Sequence, residues 1–232
     1  MWKIKKFQTE AEYSTYITGS TAFHPNVSRI VENGEVKYEK VIPMVDLGLP
    51  IGTKWAKYNL GANSETEYGD YFAWGETTPR GEDWTTTAPY DWAHSPIPQE
   101  VSDLSQYVDS SYNLLPEYDA AHVQLGGDWH MPTSGQVKEL KDYTTSAWTE
   151  NYQGSGINGS SFTGPNGNHI FIPAAGRRDG SSVKYVGVRA DLWGPALKSN
   201  IPANAQYFYF YSGVASSTFT SRYYGFCIRP VC

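Results

Sequence analysis

Residues 207–211 are an unbroken alternation of two aromatic residue types, Tyr-Phe-Tyr-Phe-Tyr. A period of two is typical of a β-strand, so the tyrosines and the phenylalanines point to opposite faces of a sheet. Phenylalanine suits a core, whereas tyrosine suits a partly hydrated face because its hydroxyl needs a hydrogen-bond partner. We therefore expect Tyr207, Tyr209 and Tyr211 to form a recognition surface; the alternative is a strand buried on both faces with every hydroxyl bonded internally.

The last quarter of the chain differs from the rest in charge. Residues 177–232 contain seven lysines and arginines and two aspartates, a net charge of +5, and the whole chain carries −6, so residues 1–176 carry −11. The same segment holds 11 of the chain's 35 Trp, Tyr and Phe residues. Because the basic residues are scattered rather than clustered, they argue against a nucleic-acid partner and favour a mixed contact surface.

The composition predicts strands and long loops rather than helices. The 232 residues are 40% hydrophobic and include 22 glycines, 14 prolines and 18 tyrosines. No apolar run is long enough for a spanning helix, and none follows the basic start, so we expect synthesis in the cytoplasm without a signal peptide and no membrane insertion. Cys227 and Cys232 are separated by an odd interval that places them on opposite faces of a strand, and we expect free thiols.

The first part of the chain, residues 1–42, reads as a small separate unit. A short helix is predicted over Glu10–Ile17. Strands over Val27–Val31 and Glu35–Lys40 flank the turn Glu32-Asn33-Gly34, and Asn-Gly is a strong hairpin signal. A unit of this size is marginally stable alone, so we expect it to serve attachment or oligomerisation.

The second part, residues 43–232, is predicted to be the main domain. Its clearest signal is a helix start at Thr133, where Gln136 completes a capping box. The other elements predicted in it are strands over Lys54–Asn59 and His169–Pro173, a short helix over Glu117–Leu125 and a long surface loop over residues 77–115.

Five ordered motifs occur in the main domain, at Val45–Ala56, Tyr68–Glu76, Gly126–Thr133, Phe171–Gly176 and Arg222–Val231. They resemble those of C-type-lectin-like domains common in gut Bacteroidales and their phages. One reads Gly-Gly-Asp-Trp-His-Met-Pro-Thr, where the family has Gly-Gly-Asn-Trp-Arg-Met-Pro-Thr. The resemblance covers about residues 45–232. It implies an α+β, C-type-lectin-like fold with a twisted antiparallel sheet, two helices and long loops, shared with formylglycine-generating enzymes and the Fibrobacter succinogenes major paralogous domain.

Within this family, the segment Gly180–Ser221 resembles the variable region of proteins altered by diversity-generating retroelements, which randomise asparagine codons at their adenines. The variable region would span about residues 178–221. Residues 194–196, Gly-Pro-Ala, depart from the family's usual Ser-Ser-Thr. Framework positions alternate with variable ones, and Trp193, Phe210 and Tyr224 are expected to be scaffold. The resemblance implies a ligand-binding face on which the variable residues point to solvent: Tyr185, Arg189, Asp191, Tyr207, Tyr209, Tyr211, Ala215, Thr218, Phe219 and Thr220.

The function implied is adhesion, by a receptor-binding protein of a phage or prophage. Its location would be the virion tail or a cell surface, and its partner a host cell-surface protein or glycan. We also expect a homo-oligomer, for which a trimer would suit a virion spike. The alternatives are a fixed bacterial surface adhesin of the same fold and, less favoured, an enzyme of the formylglycine-generating type.

The residues give little sign of catalysis, cofactors or metals. Cys227 and Cys232 do not match the family's pair of active-site cysteines, and Cys227 is expected to be a buried structural thiol. No histidine pairs with another histidine or a cysteine at zinc-ligand spacing, so we expect no metal. Most tryptophans are expected in the core. Four loop carboxylates near glycines are expected to cap turns, and the alternative is that they bind a hard cation: Asp46, Asp70, Glu76 and Asp128.

Overall fold

The structure, a computed structural model, describes residues 3–6, 27–32, 35–40, 42–79, 97 and 104–232, and describes only the backbone before residue 42. Within these ranges, two α-helices accompany several small antiparallel sheets, so the α+β class is confirmed. The helices are α1 (Ala120–Leu125) and α2 (Ser134–Tyr143). The strands are β1 (Lys3–Lys6), β2 (Val27–Glu32), β3 (Glu35–Lys40), β4 (Met44–Asp46), β5 (Lys54–Ala56), β6 (Thr145–Thr149), β7 (Gly159–Thr163), β8 (His169–Pro173), β9 (Arg177–Asp179), β10 (Ser182–Lys184), β11 (Ala190–Leu197), β12 (Asn204–Tyr211) and β13 (Val214–Ser221).

The N-terminal segments form a three-stranded antiparallel sheet in the order β1-β3-β2. The predicted pairing of β2 with β3 is confirmed, with Glu32 opposite Glu35 at the closed end. Residues 33 and 34 of the predicted turn, and the helix predicted over Glu10–Ile17, lie outside the described residues. The backbone of β3 comes within 8 Å of α1.

The two ends of the main domain are joined by backbone hydrogen bonds. Lys54 and Cys232 exchange N–H···O bonds of 2.9 and 3.0 Å, and Phe72 and Phe226 exchange two of 3.0 Å. The C-terminal segment therefore pairs with the segment that opens the domain, which closes the chain on itself. Trp193 N–H also donates to Cys227 O, so the same segment reaches the central sheet.

The central sheet, in the order β11-β12-β13, separates two hydrophobic cores. We call the two sides of β12 the tyrosine face and the phenylalanine face. Phe208 and Phe210 pack into one core with Leu140 of α2 and with Phe162, whose ring meets that of Phe210 edge-on at 5.4 Å. The other core lies on the tyrosine face and contains Trp74, Trp193 and Phe226. The prediction that most tryptophans lie in the core holds for these two and for Trp55, all at most 1% exposed.

Both helices begin at side-chain caps. The capping box at Thr133 is confirmed, since Thr133 Oγ1 accepts from Gln136 N–H and the Gln136 side chain accepts from Thr133 N–H. Helix α1 begins three residues later than predicted. Asp119 stands in an extended conformation and its carboxylate accepts from the backbone N–H groups of Ala121 and His122, so residues 116–118 form a separate 3-10 turn.

Other predicted elements agree in part. Strand β8 has the predicted bounds, whereas β5 ends at Ala56, earlier than predicted. Much of the loop predicted over residues 77–115 lies outside the described residues, and its last part contains a 3-10 turn at Leu104–Gln106. Across the described ranges, neither helix has the length and apolar character needed to cross a membrane. Cys227 and Cys232 are free thiols, as predicted.

Candidate ligand-binding surface

The three tyrosines of β12 emerge progressively from the protein. Tyr207 is 7% exposed and packs into the core on the tyrosine face, Tyr209 is half-buried, and Tyr211 is 39% exposed. The alternation with Phe208 and Phe210 is confirmed, since both phenylalanines are 1% exposed. The expectation that all three tyrosines point to solvent is wrong for Tyr207, because Phe226 covers it at 4.8 Å between ring centroids.

Asp191 also lies where solvent does not reach. It stands opposite Tyr209 on β11 and its side chain is fully buried, so the expectation that it is exposed is wrong. Its carboxylate forms an ion pair with Arg189, at 2.7 Å from Arg189 Nε to Asp191 Oδ1. Burial raises the pKa of Asp191, and the neighbouring guanidinium opposes that shift. The buried carboxylate of Asp191 is therefore placed to orient the guanidinium of Arg189.

Exposed and half-buried side chains near the end of β12 form one continuous contact chain, the tyrosine–arginine row. Aromatic rings and guanidinium groups alternate along much of it. Cation–π contacts of this kind stabilise by about 0.5–1 kcal/mol each at exposed sites. The row runs Tyr211, Tyr209, Arg189, Tyr185, Arg177 and Tyr224, with successive separations of 6.1, 5.7, 4.5, 5.4 and 4.3 Å between ring centroids or from a centroid to a guanidinium carbon.

The backbone of Tyr185 is held in a left-handed conformation, with φ at +65°. This region is unfavourable for a tyrosine by about 1–2 kcal/mol. The surrounding turn maintains it, since Tyr185 O accepts from the N–H groups of both Val188 and Arg189. Gly176 allows the turn to approach closely, because a Cβ there would stand 2.0 Å from Lys184 O. The ring of Tyr185, 46% exposed, is thereby placed between the two arginines of the row.

The four predicted site residues on β13 do not share one face. Thr218 lies opposite Tyr207, so Thr218 and Thr220 are on the tyrosine face. Ala215 and Phe219 lie on the phenylalanine face, because side chains alternate along the strand. The expectation of a single common face is therefore wrong for Ala215, which packs against the core of that side, and for Phe219. Whether any of the four contacts a ligand stays a prediction.

Two members of the row were not among the predicted ligand-binding residues. Tyr224 was expected to be scaffold, and it does stack on Phe226 at 6.2 Å, but its ring also contacts Arg177. Arg177 precedes the predicted variable region. No sequence signal marks Arg177 as part of a surface with β12, because the bridge between Arg178 and Gly225 that joins β9 to the C-terminal segment links residues distant in sequence.

The predicted roles of the cysteines and of the loop carboxylates can be compared with the described residues. Cys227 is fully buried, its Sγ–H donates to Tyr68 O at 3.2 Å, and burial raises the pKa of its thiol, so the buried structural thiol is confirmed. Nowhere in the described ranges do three His, Cys, Asp or Glu side chains gather closely enough to hold a metal ion. Asp46 and Glu76 accept hydrogen bonds from Gly48 N–H and Ala73 N–H, which is the predicted turn role.

Comparisons of the chain with protein-family models, with curated proteins and with solved structures find no match in any of the three. Function is therefore inferred from the chain's own residues and geometry.

Proposed function

We propose that this protein is a ligand-binding adhesion protein with a C-type-lectin-like fold, and that the tyrosine–arginine row is its contact surface. The observation that carries the proposal is the contrast across β12. Its phenylalanine face is buried in a core, whereas its tyrosine face leaves the core along the strand and ends at the exposed ring of Tyr211. The sheets, the two helices and the pairing of the domain's two ends support the proposed fold.

The row has the physical properties of a preformed binding surface. Tyrosine supplies contact area with few rotatable bonds, so little conformational entropy is lost when it binds. The rings of Tyr209 and Tyr211 lie within 12° of parallel, and Arg189 is fixed by its ion pair with Asp191. Because these side chains are already held in place, a ligand does not have to order them.

We propose further that the row belongs to a surface diversified by a retroelement. Changing an exposed residue such as Tyr211 or Thr218 costs little stability, as a diversified position requires. Asparagine, the template residue of such systems, tolerates the left-handed backbone found at Tyr185 better than most residues do. The two buried members of the predicted set, Asp191 and Tyr207, would act on a ligand through Arg189 and Tyr209 rather than by contact.

The biological role proposed is host recognition by a phage or prophage of gut Bacteroidales, from a virion tail or a cell surface. Several copies on one particle would turn weak binding at each site into firm attachment. The N-terminal sheet of β1, β2 and β3 would serve attachment or assembly of these copies, for example as a trimer.

A cell-binding experiment tests the proposal. Fluorescently labelled protein is incubated with a panel of gut Bacteroidales strains, and bound fluorescence is measured against concentration. We expect Tyr211→Ala to weaken binding to a responsive strain by more than tenfold with an unchanged melting temperature. Tyr143→Ala, at a 56% exposed tyrosine of α2, is the matched control and should bind as the parent protein does. Equal binding by both variants would rule out the row as the contact surface.

A genetic observation separates a diversified protein from a fixed adhesin. We expect DNA beside the gene to contain a near-copy of the codons for Gly180–Ser221 that differs only where the copy has adenine, next to a reverse-transcriptase gene. Absence of both, together with loss of binding by Tyr211→Ala, would leave a fixed adhesin.

A further inference from the structure

The two arginines of the tyrosine–arginine row differ in how their charge is balanced. Arg189 is neutralised by the buried carboxylate of Asp191. Arg177 has two aromatic neighbours, Tyr185 and Tyr224, and no carboxylate of the described residues lies within ion-pair distance of it. Its Nε atom is buried and has no hydrogen-bond partner in the described part of the chain. Arg177 is therefore a positive charge that no carboxylate of the described residues neutralises, held in the row by two rings.

The surroundings do not cancel this charge. Lys184 and Asp179, on the adjacent strands, pair with each other at 2.5 Å. Because Asp191 pairs with Arg189 and Asp179 pairs with Lys184, Arg177 keeps its positive charge, which favours a negatively charged ligand.

We infer that the ligand is an acidic polysaccharide, whose anionic group pairs with Arg177 while its sugar rings lie on the exposed tyrosines. This inference rests on the proposed function and names its ligand class. A planar guanidinium can donate two parallel hydrogen bonds to a carboxylate or to a sulfate, which gives both strength and orientation. Tyr185 and Tyr211 supply flat apolar surface on either side of the half-buried Tyr209 and Arg189.

The size of the row favours a chain of sugars over a protein. A stable protein–protein interface buries about 800 Å² on each partner and engages about 20–30 residues a side. The row has six residues, and only Tyr185 and Tyr211 among them are strongly exposed. A narrow line of rings and cations matches an extended polymer with a repeated negative charge.

Binding to defined polymers tests the inference. The apparent Kd of the full chain is measured by biolayer interferometry on immobilised polygalacturonate, dextran sulfate, neutral dextran and poly-glutamate. We expect binding to an acidic polysaccharide at least tenfold tighter than to neutral dextran. Polygalacturonate and dextran sulfate distinguish a carboxylate from a sulfate as the recognised anion. Failure to bind either acidic polysaccharide, or tighter binding to poly-glutamate, would overturn the inference.

Charge variants test the role of Arg177 itself. Arg177→Gln should weaken binding to the preferred acidic polysaccharide by at least tenfold, and Arg177→Lys should recover part of it because the charge returns without the planar fork. The matched control is Lys141→Gln, which removes one positive charge from the exposed side of α2 and should change the Kd less than twofold. Arg177→Gln binding as tightly as the parent would exclude Arg177 as the anion contact. If Tyr211→Ala still abolished cell binding in that case, the proposed function would stand without the acidic ligand.

Discussion

Arginine side chains have different kinds of partner in two regions of this molecule. At the join between the domain's two ends, Arg229 is fully buried, and among the described residues no carboxylate lies within ion-pair distance of it. Its guanidinium donates to Ala56 O, Lys57 O, Phe171 O and the side chain of Asn59, at distances of 2.7 to 3.1 Å. Burial lowers the pKa of Arg229 to about 9. In the tyrosine–arginine row, Arg177 and Arg189 instead contact side chains: aromatic rings and, for Arg189, one carboxylate.

This difference shows that the scaffold around Arg229 depends mainly on backbone groups, whereas the tyrosine–arginine row depends on side chains. The site of Arg229 consists mainly of backbone carbonyls, which stay in place whatever side chains their residues carry. The row consists of side chains throughout, so a substitution changes its shape and charge directly. A chain that keeps one fold while its contact surface varies needs this division, because surface substitutions then act on binding rather than on stability.

Removal of Arg229 should have the largest effect on stability. Arg229→Met leaves two buried carbonyls, one partly buried carbonyl and the buried Asn59 amide oxygen without their donor, and each unsatisfied buried group costs about 1–3 kcal/mol. We expect the free energy of unfolding in urea to fall by more than about 3 kcal/mol. Arg177→Met is the matched control, and it should change the same quantity by less than about 1 kcal/mol. Similar losses in the two variants would contradict the division between scaffold and surface.

Asp191 lies at the boundary between the two regions and should have the next largest effect. Asp191→Leu removes a buried charge but leaves Arg189 without its partner, and breaking a buried ion pair in this way is destabilising by about 3–5 kcal/mol. Because the Arg189 side chain is 20% exposed and can turn to water, we expect about 2 kcal/mol. The double variant Arg189→Met/Asp191→Leu should recover at least half of that loss in urea unfolding. Additive losses would show that the two residues are not coupled.

Local signals in the sequence predicted local features of the structure. The capping box at Thr133 and the alternation in β12 depend on neighbouring residues, and both are confirmed. The burial of Tyr207 depends on segments distant in sequence, since Trp74 and Phe226 belong to the core that covers this face. The alternation predicts which side chains share a face of a strand. It does not predict how much of that face another segment buries.

The candidate site was predicted only in part, because local sequence patterns do not show which distant segments come together. Tyr209, Tyr211, Tyr185 and Arg189 were in the predicted set and are in the row. Arg177 joins them because β9 pairs with the C-terminal segment through Gly225, a contact between residues 47 positions apart that no local pattern encodes. The positive φ of Tyr185 was also unpredictable, because the left-handed region is unfavourable for tyrosine and the hydrogen bonds of the turn impose it.

The free energy of unfolding should decrease at high pH, because two buried groups, the Cys227 thiol and the Tyr71 hydroxyl, keep their protons in the folded state. Burial raises the pKa of the Cys227 thiol and of the Tyr71 hydroxyl, which donates to Ala175 O at 2.6 Å. As pH rises through about 8.5 to 10, the unfolded chain releases these protons and the folded chain keeps them, so stability falls. Each group contributes a slope of up to about 1.4 kcal/mol per pH unit.

Urea unfolding at pH 7 to 10.5 measures this slope. Cys227→Ser should lower stability at pH 7 and make its decline at high pH shallower, because serine does not titrate in this range. Cys232→Ser is the control and should change the slope less, since Cys232 is only partly buried. An unaltered slope in Cys227→Ser would mean that the thiol ionises equally in the folded and unfolded states.

Substitution of Tyr185 should have the smallest effect on stability while strongly affecting binding. Asparagine tolerates the left-handed backbone, so Tyr185→Asn relieves about 1 kcal/mol of strain and loses cation–π contacts of similar size. We expect a melting temperature within about 3 °C of the parent and binding to a responsive strain weakened by more than tenfold. Tyr143→Asn, at an exposed tyrosine of α2, should alter neither. A fall in melting temperature of more than about 8 °C for Tyr185→Asn would instead place this ring in the scaffold, and the contact surface would then run from Tyr211 only as far as Arg189.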